Sequence, residues 1–461
     1  MHVVIAGNGI IALTTAYRLI KRDPGLHISL IGPFDNKGCA SLAAAAMFNS
    51  FCEVDAHTLS NKIEREKWLF NKSATPFWPS FIKEIETDSG VKLEYGFGTY
   101  LINNHTSDDL EDENFEAILS SLKEFKEPFE FIKPTDIKNY KPSAISRAAR
   151  AIYIGGEGWI NPILLMNGLK TVLKKNKGVN FINDYTKSII KRGDKIDHIT
   201  LESGKNISGD IYVIAPGAAF SKIIEASNLE INFLKIFYGL GCSLLLKTDE
   251  HTTANCIRTP NRGLACGLYS APQDIKHTLV GASNLILPWP EENARVTSVY
   301  TLLKSAMEQL NSNYYKAQLL KVNVGWRPTS EDTLPLLGKT SIYNLLIATG
   351  TKRDGLHCSP VISNYLSDLI LTGNSENDLS LYNPERKPVR FITREEAITI
   401  SVRHTINAAY QHDFVPPKNN MVDDLEKYYR NDLEMLHDKV GAVEWGIPPE
   451  LINMYRYNHI S

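Results

Sequence analysis

Apolar residues fall along this chain in two periods, and the change between them marks its elements. Val3-Val4-Ile5-Ala6 is an unbroken apolar run of the kind that forms a strand buried on both faces. A helical pattern follows at once in Leu13, Ala16, Tyr17, Leu19 and Ile20, and then a second apolar strand, His27-Ile28-Ser29-Leu30-Ile31. Residues 58–88 read as helical, with the aromatics Trp68, Phe70, Phe77, Trp78 and Phe81. Residues 91–102 read as strands, and 104–127 as an acidic helix after a loop-like start at Asn103-Asn104. A short strand then reaches a predicted glycine-rich turn, Gly155-Gly156-Glu157-Gly158, and Trp159-Ile160-Asn161-Pro162 opens a helix. Further buried-type strands occupy 179–182, 207–217 and 344–350, and residues 233–300 alternate strand-like runs with turns. Beyond about 390 come two helical patterns, 394–412 and 421–440, joined by Val415-Pro416-Pro417-Lys418.

The first strand runs into Gly7-x-Gly9-x-x-Ala12, and a helix follows, which is the context a dinucleotide fingerprint requires. Gly7 allows the tight turn, Gly9 lets a pyrophosphate approach the backbone, and Ala12 lets helix pack on strand. The helix N-terminus then offers free N–H groups and partial positive charge. The acidic residue expected after the second strand is absent: Gly32 and Pro33 stand there, and Asp35 is the nearby candidate to replace it. The nucleotide-type strands are scattered, so the fold class is mixed α/β. A Rossmann-like domain is interrupted by a β-rich domain and followed by a C-terminal helical extension. The expected boundaries are 1–90, about 145–220 and 325–390 for the nucleotide domain; about 91–144 and 221–324 for the second; and 391–461 for the extension.

The 461 residues carry a formal charge of −2, and 43% are hydrophobic, which suits a globular enzyme and gives nucleic acid no bulk-charge footprint. No apolar run reaches the roughly 18 residues that span a membrane. No basic leader precedes the first strand, and a cytoplasmic location is expected. The six cysteines form no C-x-x-C pair and read as reduced thiols; no metal site is expected.

Five stretches, spanning residues 1 to about 373, resemble the D-amino acid oxidase-like family of FAD-dependent oxidoreductases, of the glycine and sarcosine oxidase type. They are the N-terminal fingerprint; Gly38 to Met47, with Ser41 and the Ala43–Ala46 run; Glu157 to Pro162; Gly325-Trp326-Arg327-Pro328 through Asp332, Pro335 and Gly338; and Ala348-Thr349-Gly350-Thr351-Lys352-Arg353-Asp354-Gly355 to Pro360. The departures are Gly32 in place of the acid, Thr351 in place of His, Ala46 in place of Gly, and Gly325 about where some sarcosine oxidases carry a flavin-bonding Cys. Non-covalent FAD is therefore expected.

The resemblance implies that FAD contacts Gly7, Gly9, Ile10, Ile11, Ala12, Ser41, Ala43, Ala44, Ala45, Met47, Gly217, Gly350, Arg353, Gly355 and Leu356. It implies that Arg327 clamps a substrate carboxylate, a task suited to a forked guanidinium; pairing with Glu331 or Asp332 is the alternative. Tyr269 is a candidate to face substrate or simply to pack, and Arg353 to face substrate or solvent. Ser359-Pro360 reads as an N-cap and first helical residue whose helix start favours negative charge on a reduced flavin. His357-Cys358 reads as structural. The implied reaction passes hydride from the α carbon of a neutral amine to flavin N5, needs no protein base, and delivers electrons to dioxygen or another acceptor. Two other readings stay open: a peptide, carrier-bound or biosynthetic substrate docked by the extension, and a non-catalytic interaction module. A homo-oligomer is compatible with all three.

Overall fold

The computed structural model describes residues 1–104, 109–250, 252–264, 266–418 and 420–460. Five of the predicted strands assemble one six-stranded sheet. Its order is Leu336–Lys339, Leu345–Thr349, Ile211–Ile214, His2–Ala6, His27–Ile31, Val179–Ile182. All neighbours are parallel except Leu336–Lys339 against Leu345–Thr349. The unbroken apolar runs are explained by two-sided burial. Val3 and Ile5 face the helices Ile10–Arg22 and Ser359–Leu371, while Val4 and Ala6 face Phe220 and the small sheet containing Ile189 and Ile199. Strand order reverses direction at His2–Ala6, and a crevice opens beyond the carboxyl ends of strands at such a point.

A nine-stranded sheet faces that crevice. Leu285–Leu287, Ile236–Lys247, His277–Gly281, Tyr269–Pro272, Cys256–Arg258, Tyr95–Asn104, Ala148–Ile160 and Phe129–Ile132 follow in order, and Gln318–Ser330 pairs with Ile236–Lys247. Three expectations change here. Gly155–Gly158 is not a turn: it lies within the strand Ala148–Ile160, as a bulge between the pairs Thr99↔Ile154 and Phe97↔Gly158. Residues 148–160 and 318–330 therefore sit in the nine-stranded sheet, against boundaries expected near 145 and 325. Asn103 and Asn104 end a strand instead of opening a loop, because they still pair with Arg150 and Ala148. The acidic helix runs Asp109–Glu124, and the first residues of its expected span, 105–108, lie outside the described residues.

Two helix starts differ from each other instructively. Asn161 caps the helix Pro162–Lys175 by accepting from the N–H groups of Ile163 and Leu164. At Ser359–Leu371 the cap is Cys358, not Ser359; its backbone is already helical, and no side chain makes a cap bond. No helix among the described residues is long and apolar enough to cross a membrane, and all six cysteines are free.

The extension forms the helices Arg394–Gln411 and Met421–Lys439, and Thr393 and Glu396 complete a capping box at the first. It is not an appendage. Leu436, Ile447, Leu451, Met454, Tyr455 and Ile460 close over Phe237 and Ile286 of the nine-stranded sheet. Leu451 is fully buried there, so Leu451→Ala is expected to cost about 2–5 kcal/mol in urea denaturation. Deleting 391–461 strips the cover from Phe237 and Ile286 and is expected to give aggregated protein, not a stable flavin-binding core.

Candidate functional site

A cavity of about 330 Å³ fills the crevice between the two sheets. Its lining includes Gly32, Pro33, Asn36, Lys37 and Tyr185, the segments Gly7–Ile11 and Ala43–Met47 with Gly217, and Tyr269, Arg327 and Arg353. Gly7, at φ +141°, brings backbone so close to Ala215 that a Cβ would stand 2.2 Å from its carbonyl oxygen. Gly9 caps the helix Ile10–Arg22 without a side-chain bond, and Ser41 Oγ accepts from the Ile10 N–H at 3.1 Å. The remaining first-turn N–H groups suit an anion.

The short helix Ala40–Ala43 ends as Ala44 turns extended, so the alanine run is not a continued helix, and Ala44–Met47 line the cavity. Ala46 has φ +52°, a left-handed conformation that glycine adopts without strain, which explains the glycine expected at that position. Most residues expected at a flavin line this wall: Gly7, Gly9, Ile10, Ile11, Ser41, Ala43, Ala44, Ala45, Met47, Gly217, Arg353, Gly355 and Leu356. Ala12 and Gly350 do not. Ala12 is fully buried at the helix–strand contact, and Gly350, at φ +73°, turns the chain behind the wall.

The missing acid at Gly32 has a steric partner. A Cβ at 32 would meet Asn8 Cγ at 2.4 Å, and Asn8 Nδ2 donates to the Pro33 carbonyl at 2.7 Å. Asp35 does not replace it: its carboxylate accepts from Tyr185 Oη and the Lys37 N–H, and it lies off the cavity wall. Asn36, on that wall, instead holds a buried Oδ1 with no partner. Asn49 Nδ2 is orphaned on the wall as well. A cavity with a side-chain-free glycine turn, an open helix start and orphaned polar atoms fits a dinucleotide.

Arg327 packs over Gly241, where a Cβ would lie 2.5 Å from its Cζ. Its Nη1 donates to the Ser283 carbonyl at 2.9 Å and to Asn284 Oδ1 at 3.4 Å. It makes no ion pair among the described residues. The alternative partner Asp332 is taken by Arg386 at 2.8 Å, and Glu331 bonds elsewhere, to the Lys235 backbone. Tyr269 is buried on the same wall, over Gly281, and burial pushes its hydroxyl well above the usual tyrosine range, so it stays protonated.

Arg353 faces neither solvent nor an open wall alone. It pairs with Glu53 at 3.4 Å and donates to Cys266 Sγ at 3.1 Å. Glu53 also pairs with fully buried Arg258 at 2.6 Å. Burial pushes the Glu53 carboxyl up, but the two guanidiniums and the bonds from Arg258 and Asn261 outweigh it and hold it at about 2. Sequence reasoning missed Glu53, Arg258, Asn261 and Asn284, since no motif joins positions some two hundred residues apart. His357 and Cys358 form no catalytic pair: His357 Nε2 donates to the Asn71 carbonyl at 2.9 Å, burial lowers its pKa to about 4, and burial raises that of Cys358. No metal-binding cluster occurs among the described residues.

The depressed Glu53 pKa gives a pH test. Its contribution to stability is present above the unfolded carboxyl value of about 4.3 and is lost as pH falls toward about 2. Melting temperature followed from pH 7 down to pH 2 is expected to fall in that window. Glu53→Gln is expected to melt lower at pH 7, with Arg258 left unpaired, and to show a shallower acid loss.

Comparison with known proteins agrees with this geometry. The chain is 22% identical over 419 residues to the bifunctional protein ThiO/ThiG of Nostoc sp. (strain PCC 7120), covering 90% of this chain and 59% of that relative. Iminodiacetate oxidase from Chelativorans sp. BNC1 superposes with a TM-score of 0.71 at 19% identity, covering 84% of this chain and 100% of that one. Glycine oxidase from Geobacillus kaustophilus gives 0.71 at 20%, covering 84% and 98%. The family model "FAD dependent oxidoreductase" (DAO) matches residues 2–369, and the chain belongs to that family of FAD-dependent flavoenzymes.

Proposed function

We propose that this oxidoreductase oxidises the C–N bond of an amino acid or secondary amine whose carboxylate is held by Arg327. The observation that carries the reading is the unpaired guanidinium on the cavity wall. Only Nη1 is engaged within the described chain, and both its acceptors are neutral oxygens. Arg327 is half-buried, and a cation partly removed from water without a counter-ion favours an anionic ligand; a substrate carboxylate meets its remaining donors as a fork. Glycine and iminodiacetate, named for two similar structures, are both carboxylate-bearing amines.

Non-covalent FAD would lie along Gly7–Ile11, Ser41 and Ala43–Met47, with Gly217, Arg353, Gly355 and Leu356. Gly325 has no thiol, and a Cβ there would meet Ala43 Cβ at 2.8 Å. FAD, when bound, supplies the two-electron acceptor for the hydrogen leaving the α carbon. Arg327 fixes the substrate's orientation, and protonated Tyr269 is a hydrogen-bond donor beside it. Glu53 is held ionised by its two arginines and takes no proton near neutral pH, in keeping with a reaction that needs no side-chain base. Free cysteines suit a cytoplasmic location. Dioxygen or another carrier takes the electrons, and peroxide release distinguishes them.

Anaerobic addition of glycine, sarcosine and D- and L-amino acids to the FAD-loaded protein is expected to bleach the flavin bands with at least one of them. A flavin spectrum that none bleaches contradicts the proposal. Arg327→Met is expected to retain flavin and lose about 100-fold or more in kcat/KM, mostly through KM, as two charge-assisted bonds disappear. Gly7→Ala is expected to abolish FAD binding, read by flavin fluorescence after reconstitution, because its Cβ meets the Ala215 carbonyl.

A further inference from the structure

A second cavity, of about 220 Å³, lies beside the first, and the extension builds one side of it with Phe391, Glu396, Ile400, His404 and Glu450. The opposite side comes from the helix Lys62–Ala74 and the segment after the strand Leu345–Thr349. The family match ends at residue 369, so the extension lies outside it. The two cavities share Glu53, Lys352, Arg353 and Asp354 as wall. Asn284, on the wall of the second, is the same residue that accepts from Arg327 at 3.4 Å.

The second wall is rigidly held. Lys352 is ion-paired to Glu450 of the extension, Asn61 Nδ2 donates to the Phe391 carbonyl at 2.5 Å, and Leu451, next to Glu450, is anchored over Phe237 and Ile286. Its unspent valences are of one kind. Asn71, 5% exposed, has an Oδ1 with no partner, whereas Glu53 Oε2 is taken by Arg353 at 3.4 Å. The Asp354 carboxylate makes no ion pair or hydrogen bond among the described residues. The cations there are already engaged: Lys67 with Glu64, Lys352 with Glu450, Arg262 with Glu111, and Arg353 with Glu53. Spare acceptors beside committed donors call for a ligand that donates.

We propose that this cavity is the second half of the substrate site and takes the distal ammonium or guanidinium of an amino acid whose carboxylate sits at Arg327. The inference rests on the amino-acid reading above. The extension then acts as a preformed specificity wall for a basic side chain. Asp354, on the wall common to both cavities, supplies the counter-charge, and Asn71 Oδ1 accepts a hydrogen bond deeper in.

The test uses the FAD-loaded full chain and matched pairs that differ only at the tip: lysine with norleucine, and ornithine with norvaline, each in both enantiomers. Anaerobic flavin bleaching gives Kd and the reduction rate for each. At least one amine-tipped member is expected to bind about ten-fold or more tighter than its partner, the size of one charge-assisted bond. Asp354→Asn and Asn71→Leu are each expected to shrink that ratio. Equal Kd values within every pair, or a ratio that neither substitution moves, overturn this inference and leave the amino-acid reading standing. Bleaching by no amino acid at all, glycine and sarcosine included, with flavin still bound, overturns both.

Discussion

The Glu53 carboxylate joins three separate parts of the molecule through two arginines. It lies at the end of the short turn Phe51–Glu53, which follows the alanine-lined segment of the flavin-type cavity. Arg258 reaches it from the nine-stranded sheet, and Arg353 from the segment that leaves the six-stranded sheet. One carboxylate between two guanidiniums therefore ties both sheets across the crevice where substrate and cofactor are proposed to sit. The turn itself is set by a second carboxylate, which is buried: Glu157 Oε1 accepts from the N–H groups of Ser50, Phe51 and Cys52. Such pairs are weak sources of net stability, but breaking one side is expensive, and that penalty fixes geometry.

Much of the nucleotide-binding half was legible in the sequence, for a physical reason. Parallel strands buried on both faces are continuous apolar runs, and Gly7-x-Gly9-x-x-Ala12 lies between the first of them and a helix. The β-rich half was less legible. Its glycines in 155–158 carry the same composition as a turn, and only the pairing of Phe97 and Thr99 across them shows a bulge. The reading of Ser359 as a cap failed because a hydroxyl before proline is a cap only if its own backbone is extended, and here the helix has already begun at that residue.

The contacts that matter most at the site join distant positions. Asn8 fills the space above Gly32, so the departure at 32 is one half of a pair whose other half sits inside the fingerprint. Glu53 with Arg258, and Lys352 with Glu450, belong to segments that carry no shared motif. The helical pattern of 421–440 forms the helix Met421–Lys439, but no periodicity tells which surface a helix covers. That the extension walls a cavity next to Arg327 follows only from the folded chain.

The central claim is that Arg327 receives a carboxylate. A crystal structure of the FAD-loaded protein soaked with glycolate, a carboxylic acid that lacks the reacting amine, tests it directly. The account predicts glycolate beside Tyr269 with its carboxylate oxygens within hydrogen-bond distance of the Arg327 guanidinium. Glycolate bound with its carboxylate elsewhere in the cavity, and Arg327 still bonded only to Ser283 and Asn284, would contradict it.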